Sequence, residues 1–230
     1  MKEDNQLSLD FKMISGKKVT ADFTGGDVSS DAGVLLVKEV ADRIGIIDKL
    51  VEAITDTRNQ SYVLHDYKTL LTQRIFQILC GYEDANDSDG LRTDPGFKAA
   101  CDRLPSDGDL ASQPTISRFE NSLKVRDIYH IAKVLVELFI ASYKTAPAGI
   151  VLDIDDTDDP THGAQQLSLF NGYYDEYCYQ PLFIFEGQSG KLITSILRPG
   201  RRPSGKEVCA IIKRVVKIIR AAWPNVGIII

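Results

Sequence analysis

Apolar residues follow a helical period through most of the chain before Gly149 and alternate in short runs after it. Val34, Leu35, Val37, Val40, Ala41 and Ile44 predict a helix over 33–44, with Ser29-Ser30-Asp31 at its N-cap and Gly45 closing it. A short helix over 46–54 follows. Residues 62–80 read as a longer amphipathic helix, closed by Gly81, with Leu64, Leu70, Leu71, Ile75, Ile78 and Leu79 inward. Shorter helices are expected at 84–91, after Asp94-Pro95 through Cys101, and at 112–121, where Pro114 pre-sets the first turn. A long helix over 128–143 buries Ile131, Leu135, Leu138 and Phe139. Ahead of all these, 17–23 reads as one strand running into Gly25-Gly26.

The Pro147-Ala-Gly149 break divides a mainly helical region, 1–146, from a second region, 147–230. Ile150-Val-Leu-Asp153-Ile-Asp155-Asp156 opens the second region as a strand, which puts Asp153 and Asp155 on one face. Residues 156–163 read as a loop. Strands are expected over 179–186 and 191–197, joined by a Gly187-Gln-Ser-Gly190 hairpin turn. Ser204 and Glu207 form a capping-box signature for a helix over 205–222, which buries Val208, Ile211, Ile212, Val215, Ile218 and Ile219. Trp223-Pro224-Asn225 stops it, and 226–230 begins a buried strand. Three antiparallel strands, a crossover helix and a strand returning parallel to the first is the order of a ribonuclease H-like sheet. The expected class is α+β or α/β: a mostly helical N-terminal domain, then an incomplete ribonuclease H-like mixed sheet.

Charge changes the picture more than composition does. At 43% hydrophobic and 26% charged the chain is ordinary for a soluble globular protein. No apolar run reaches the ~18 residues of a membrane span, and the amino terminus lacks a signal peptide's apolar core. A cytoplasmic protein with no membrane partner is therefore expected. Four cysteines lie far apart without a CxxC pair, which predicts free thiols.

From Ile150 to Gln180 there are seven acidic residues and no Lys or Arg. Carboxylates gathered at a strand end repel one another unless cations bind, and hard divalent ions take such oxygens. The alternative is a solvated acidic loop after an ordinary core strand. Between Gly187 and Arg220 the balance reverses, with nine Lys or Arg against one acid, Glu207. That segment carries +8 and the remainder −13, so an overall net charge of −5 hides a basic stripe fit for phosphates. Its members include Arg198, Arg201, Arg202, Lys206, Lys213, Lys217 and Arg220. The 110–122 stretch, presenting Arg118, reads either as a helix-turn-helix reader or as a capped core helix.

Several motifs together resemble the DDE-type transposases of bacterial insertion sequences. They are Ser30-Asp-Ala-Gly33, Gly81-Tyr-Glu-Asp-Ala-Asn-Asp87, Leu91-Arg-Thr-Asp-Pro95 and Leu110-Ala-Ser-Gln-Pro-Thr-Ile-Ser-Arg-Phe-Glu-Asn121. The most specific is Leu152-Asp-Ile-Asp-Asp-Thr157 with His162-Gly-Ala-Gln165 and Tyr173-Tyr174. The resemblance implies cleavage and strand transfer of DNA, using Mg²⁺ or Mn²⁺ held by three carboxylates. Its implied partners are element ends and target duplex, with a homodimer left open. The family register puts the first catalytic and metal-binding carboxylate on Asp155, with Asp153 as the fallback. The family's second Asp follows the fourth strand, and no residue after Val226 is acidic. A truncated form is thus expected, inactive alone and binding Mg²⁺ weakly or not at all. The competing reading is a non-catalytic DNA-binding or interaction remnant.

Overall fold

The computed structural model describes residues 9–14, 16–21, 28–163 and 165–230. The end of the expected 17–23 strand with Gly25-Gly26, and Ala164 of the His162–Gln165 motif, lie outside them. A hairpin of β1 (Leu9–Ile14) and β2 (Lys17–Ala21) comes first. Seven helices follow: α1 (Val34–Ile44), α2 (Ile46–Glu52), α3 (Tyr67–Leu79), α4 (Asp87–Leu91), α5 (Pro95–Ala100), α6 (Gln113–Ser122) and α7 (Val125–Ala141). Then come β3 (Gly149–Asp156), β4 (Asp159–Pro160), β5 (Leu169–Asn171), β6 (Glu176–Tyr179), β7 (Leu182–Glu186) and β8 (Lys191–Ile196). The described chain closes with α8 (Gly205–Ala222) and β9 (Gly227–Ile229). The class is α+β, with both mixed and antiparallel sheets.

The chain divides into two compact units, 1–43 with 58–121, and 44–57 with 122–230. The boundary expected at 146/147 falls inside the second unit, because Val136 and Phe139 of α7 join the core beneath the sheet.

In the first unit, local caps set the helix starts. Asp66 accepts from Thr69 N–H at 2.7 Å and Asp94 from Phe97 N–H at 2.9 Å, with Pro95 in the first turn. The Asp66 cap moves the start of the expected 62–80 helix to Tyr67. The buried face becomes Tyr67, Leu70, Leu71, Gln73, Phe76 and Gln77, whereas Leu64, Ile78 and Leu79 are exposed. Two buried amides then tie the unit together. Gln73 exchanges two hydrogen bonds with the Ala111 backbone, and Ser88 donates to Gln77. The early motifs meet here: Tyr82 donates to Asp31, Ser29 to Asp94, and the Gln113 amide to Asp89. The Gln73 and Gln77 contacts are buried, where an unpartnered polar group is costly, whereas the motif contacts are part-buried or exposed.

In the second unit four strands run in the order β8-β7-β3-β9, with β9 parallel to β3 and the other pairs antiparallel. Ile150 and Leu152 of β3, Ile184 of β7, Ile193 of β8, and Val215 and Ile219 of α8 share one core with α7. The capping box at the start of α8 forms: Ser204 Oγ accepts from the Glu207 amide, and Glu207 accepts from the Ser204 amide. A further expectation fails. The strand over 179–186 is two strands in two sheets, because Pro181 has no N–H to continue a ladder. Tyr179 ends a small sheet of order β4-β6-β5, in a region where the sequence pattern shows no strand period, and Leu182 enters the large one.

The hairpin turn between β7 and β8 is held by Glu186, only 3% exposed, which accepts from the amides of Val151, Gln188 and Ser189. Burial by itself would raise this carboxyl, but the hydrogen bonds from Ser189, Val151 and Gln188 outweigh it and hold it at about 2. A carboxyl depressed in the fold stabilises in full above its ordinary value and loses that contribution as pH falls toward 2. Glu186→Gln should therefore cost roughly 2 kcal/mol at neutral pH. The difference should shrink as the pH falls. Matching denaturant midpoints for the two proteins at neutral pH would contradict this.

Candidate active site

Strand β3 is the central element of the site. Ile150 and Leu152 turn into the core, and the alternation leaves Asp153 and Asp155 exposed on the opposite face. Across the antiparallel ladder, Asp153 faces Phe185 and Asp155 faces Phe183, and these two rings stack with centroids 6.1 Å apart. The two expected carboxylates thus share one face, each beside an aromatic residue of the neighbouring strand. Asp156, one step on, points the other way and is anchored. It accepts from Gln180 Nε2 at 2.7 Å and from Arg198 at 3.1 Å.

Beyond the strand, two further groups belong here: Glu176, which no sequence motif singles out, and Tyr174 of the Tyr173-Tyr174 motif. Glu176 of β6 meets Asp158, and its carboxyl is raised by burial, then by that hydrogen bond and the Asp158 charge. The Tyr174 phenol is raised by burial and then by the fields of Asp158, Asp156 and Asp155. Tyr174 therefore lies in the field of the acidic strand end, which brings the Tyr173-Tyr174 motif to the Leu152–Thr157 one. The only sequence signal for Glu176 is its membership of the acidic segment.

Among the described residues, no group of three or more His, Cys, Asp or Glu side chains is arranged to hold a metal ion. Asp153 and Asp155 come from one strand, whereas a two-metal centre draws carboxylates from several. Among the described residues the donor set does not fit such a centre.

The expected DNA-binding residues separate into distinct roles. Lys206, Lys213, Lys217 and Arg220 are exposed along one stripe of α8. Lys217 also lines a groove of about 740 Å³ between α7 and α8, beside Lys133 and Arg214. Arg220 is partly engaged, donating to the carbonyls of Pro224 and Val226. Arg201 pairs with Glu207 at 2.7 Å, and Arg202 is exposed. Arg198 is buried against Asp156, so its charge serves the strand end rather than a surface. Arg118 lies on α6 in the other unit. The connection before α6 spans residues 101–112, far longer than the three or four residues of a helix-turn-helix turn.

The family described as transposase DDE domain group 1 matches residues 11–230, and the chain belongs to it. No curated protein matches the chain, and no solved structure does. Among the described residues no helix is long and apolar enough to cross a membrane.

Proposed function

We propose that this chain supplies DNA binding and the first catalytic carboxylate of a transposase, with a ribonuclease H-like sheet presenting Asp155. The observation that carries this reading is the position of Asp155. It stands exposed near the end of β3, a strand paired with parallel β9 along its first residues and with antiparallel β7 alongside Asp155 itself, in a chain of the DDE family. Its neighbour Asp153 shares the face and is the secondary choice. Asp156 accepts bonds from Arg198 and Gln180, which supports a role in holding the strand end in place.

The family's chemistry uses a divalent metal, Mg²⁺ or Mn²⁺, whose donor set the described residues do not by themselves supply. The role of the present residues is narrower. Asp155 offers a ligand or a base from a rigid strand. The α8 stripe, with Arg202, holds duplex by its phosphates. A DNA-binding role without catalysis is the second reading, and it is favoured by the lack of a metal-ligand cluster among the described residues.

The 230-residue chain, purified by itself, should neither nick nor join supercoiled DNA with either metal. Strand cleavage by this chain that disappears in Asp155→Ala would show that β3 alone suffices, contrary to this reading.

A further inference from the structure

The first unit contains a cavity of about 620 Å³ that the catalytic reading does not use. Four arginines line it, Arg58, Arg92, Arg103 and Arg118, together with His65, against a single carboxylate, Asp109. They come from distant parts of the chain: the segment before α3, the ends of α4 and α5, and the middle of α6. Converging so many guanidinium groups raises the energy of the fold by mutual repulsion unless an anion offsets it.

The way each arginine is held sharpens the point. Arg92 is neutralised by two bonds to Asp109 at 2.9 and 2.7 Å. Arg103 is oriented by neutral partners, the Asp109 carbonyl at 3.2 Å and His65 Nδ1 at 3.3 Å. Arg58 lies over the Tyr67 ring at 4.1 Å and donates to the His65 carbonyl at 2.9 Å. Arg118 donates to the Thr115 hydroxyl, and no carboxylate pairs with it among the described residues. Ser112 and Thr115 add hydroxyl donors to the wall. Guanidinium forks fixed by carbonyls and a ring are pre-organised, so little side-chain entropy is lost when a tetrahedral oxyanion enters.

We propose that this cavity is a phosphate-binding site, taking a phosphate group through Arg103 and Arg118, with Arg58 and the two hydroxyls supporting them. Its ligand is a phosphate borne on a DNA strand or a free one; the chemistry is shared, and the site stands whether or not the transposase reading holds. His65 reports on it. Its imidazole is lowered first by burial, then by Arg103, with Arg58 and Arg92 adding to this and Asp66 opposing. Because Arg103 donates to Nδ1, the ring is neutral, and a bound anion would shift its resonances and raise its titration point.

The test is a titration of the whole chain with inorganic phosphate at constant ionic strength, following the imidazole signals. With three histidines in the sequence, assignment needs only single His→Gln variants. The His65 signals should move saturably with a midpoint of roughly millimolar order, while those of His130 and His162 stay. In Arg118→Ala, whose one described bond is to Thr115 and which should therefore fold, the midpoint should rise about tenfold, as in Arg103→Ala. A labelled duplex then separates the two sources. If Arg118→Ala lowers the slope of log affinity against log salt by about one, the phosphate is strand-borne. If the slope is unchanged while phosphate still moves His65, the ligand is free phosphate. His65 signals that do not respond to phosphate, or respond identically in parent and Arg118→Ala, overturn the proposal.

Discussion

Gly200→Ala is expected to destabilise the protein by about 3 kcal/mol, the upper end of what overpacking costs. Gly200 is buried where the basic loop crosses the small sheet. A Cβ there would overlap the Cys178 carbonyl oxygen and approach that of Leu169 at 2.8 Å. Both obstacles are backbone of β5 and β6, which cannot rotate aside as a side chain would. Relief requires the loop to lift, and with it the bridge from Pro199 to Tyr179 and the bond from the Gln180 amide to the Arg198 carbonyl. Arg198 would then leave Asp156, so the strand end next to Asp155 would lose its anchor. In thermal unfolding the variant should melt about 10 °C below the parent. Coincident melting curves would show that the loop tolerates the methyl group.

The second large effect concerns DNA. Replacing Lys206, Lys213 and Lys217 together by Ala should flatten the slope of log affinity against log salt by up to about three, one unit for each phosphate left without its lysine. Between low and physiological salt, that removes most of the stripe's share of binding. Arg220 lies on the same stripe but is left intact, because it also caps carbonyls at the end of α8 and would confound stability with charge. The helix should persist, since alanine is the best helix former and these side chains are exposed. Gel shifts across a salt series decide it: parallel lines for parent and variant would reduce the lysines to solvated charges offsetting the acidic strand end.

What is legible in the sequence is what depends on neighbours along the chain. The capping box of Ser204 and Glu207 and the alternation from Ile150 to Asp156 are local signals, and both elements form as expected. The parallel return of β9 beside β3 also follows, because a crossover helix leaves few other places for that strand. Expectation and structure part where a weaker local signal overrides the apolar pattern, or where no signal exists. Pro181 divides the 179–186 strand, and Asp66 delays α3. The strands β4, β5 and β6 run to only two, three and four residues, too short to show a period.

Among site residues the division is the same. Asp153 and Asp155 are visible as a pair on one face. Arg198 looks like one member of a basic stripe, yet it is spent on Asp156, 42 positions earlier. The arginine cavity has no signal at all, since Arg58, Arg92, Arg103 and Arg118 become neighbours only through tertiary packing.

The central claim is that Asp155 is the catalytic carboxylate of β3. Its most direct test is excision in cells of the natural element with its own ends, using an element in which the parent sequence in its natural coding context is first shown to support excision. Asp155→Asn should lower excision by on the order of 10²–10³-fold or more, the loss seen when one stabiliser of a developing charge is removed. Asp153→Asn should retain measurable excision. Excision at the parental rate in Asp155→Asn, with loss in Asp153→Asn instead, would contradict the account.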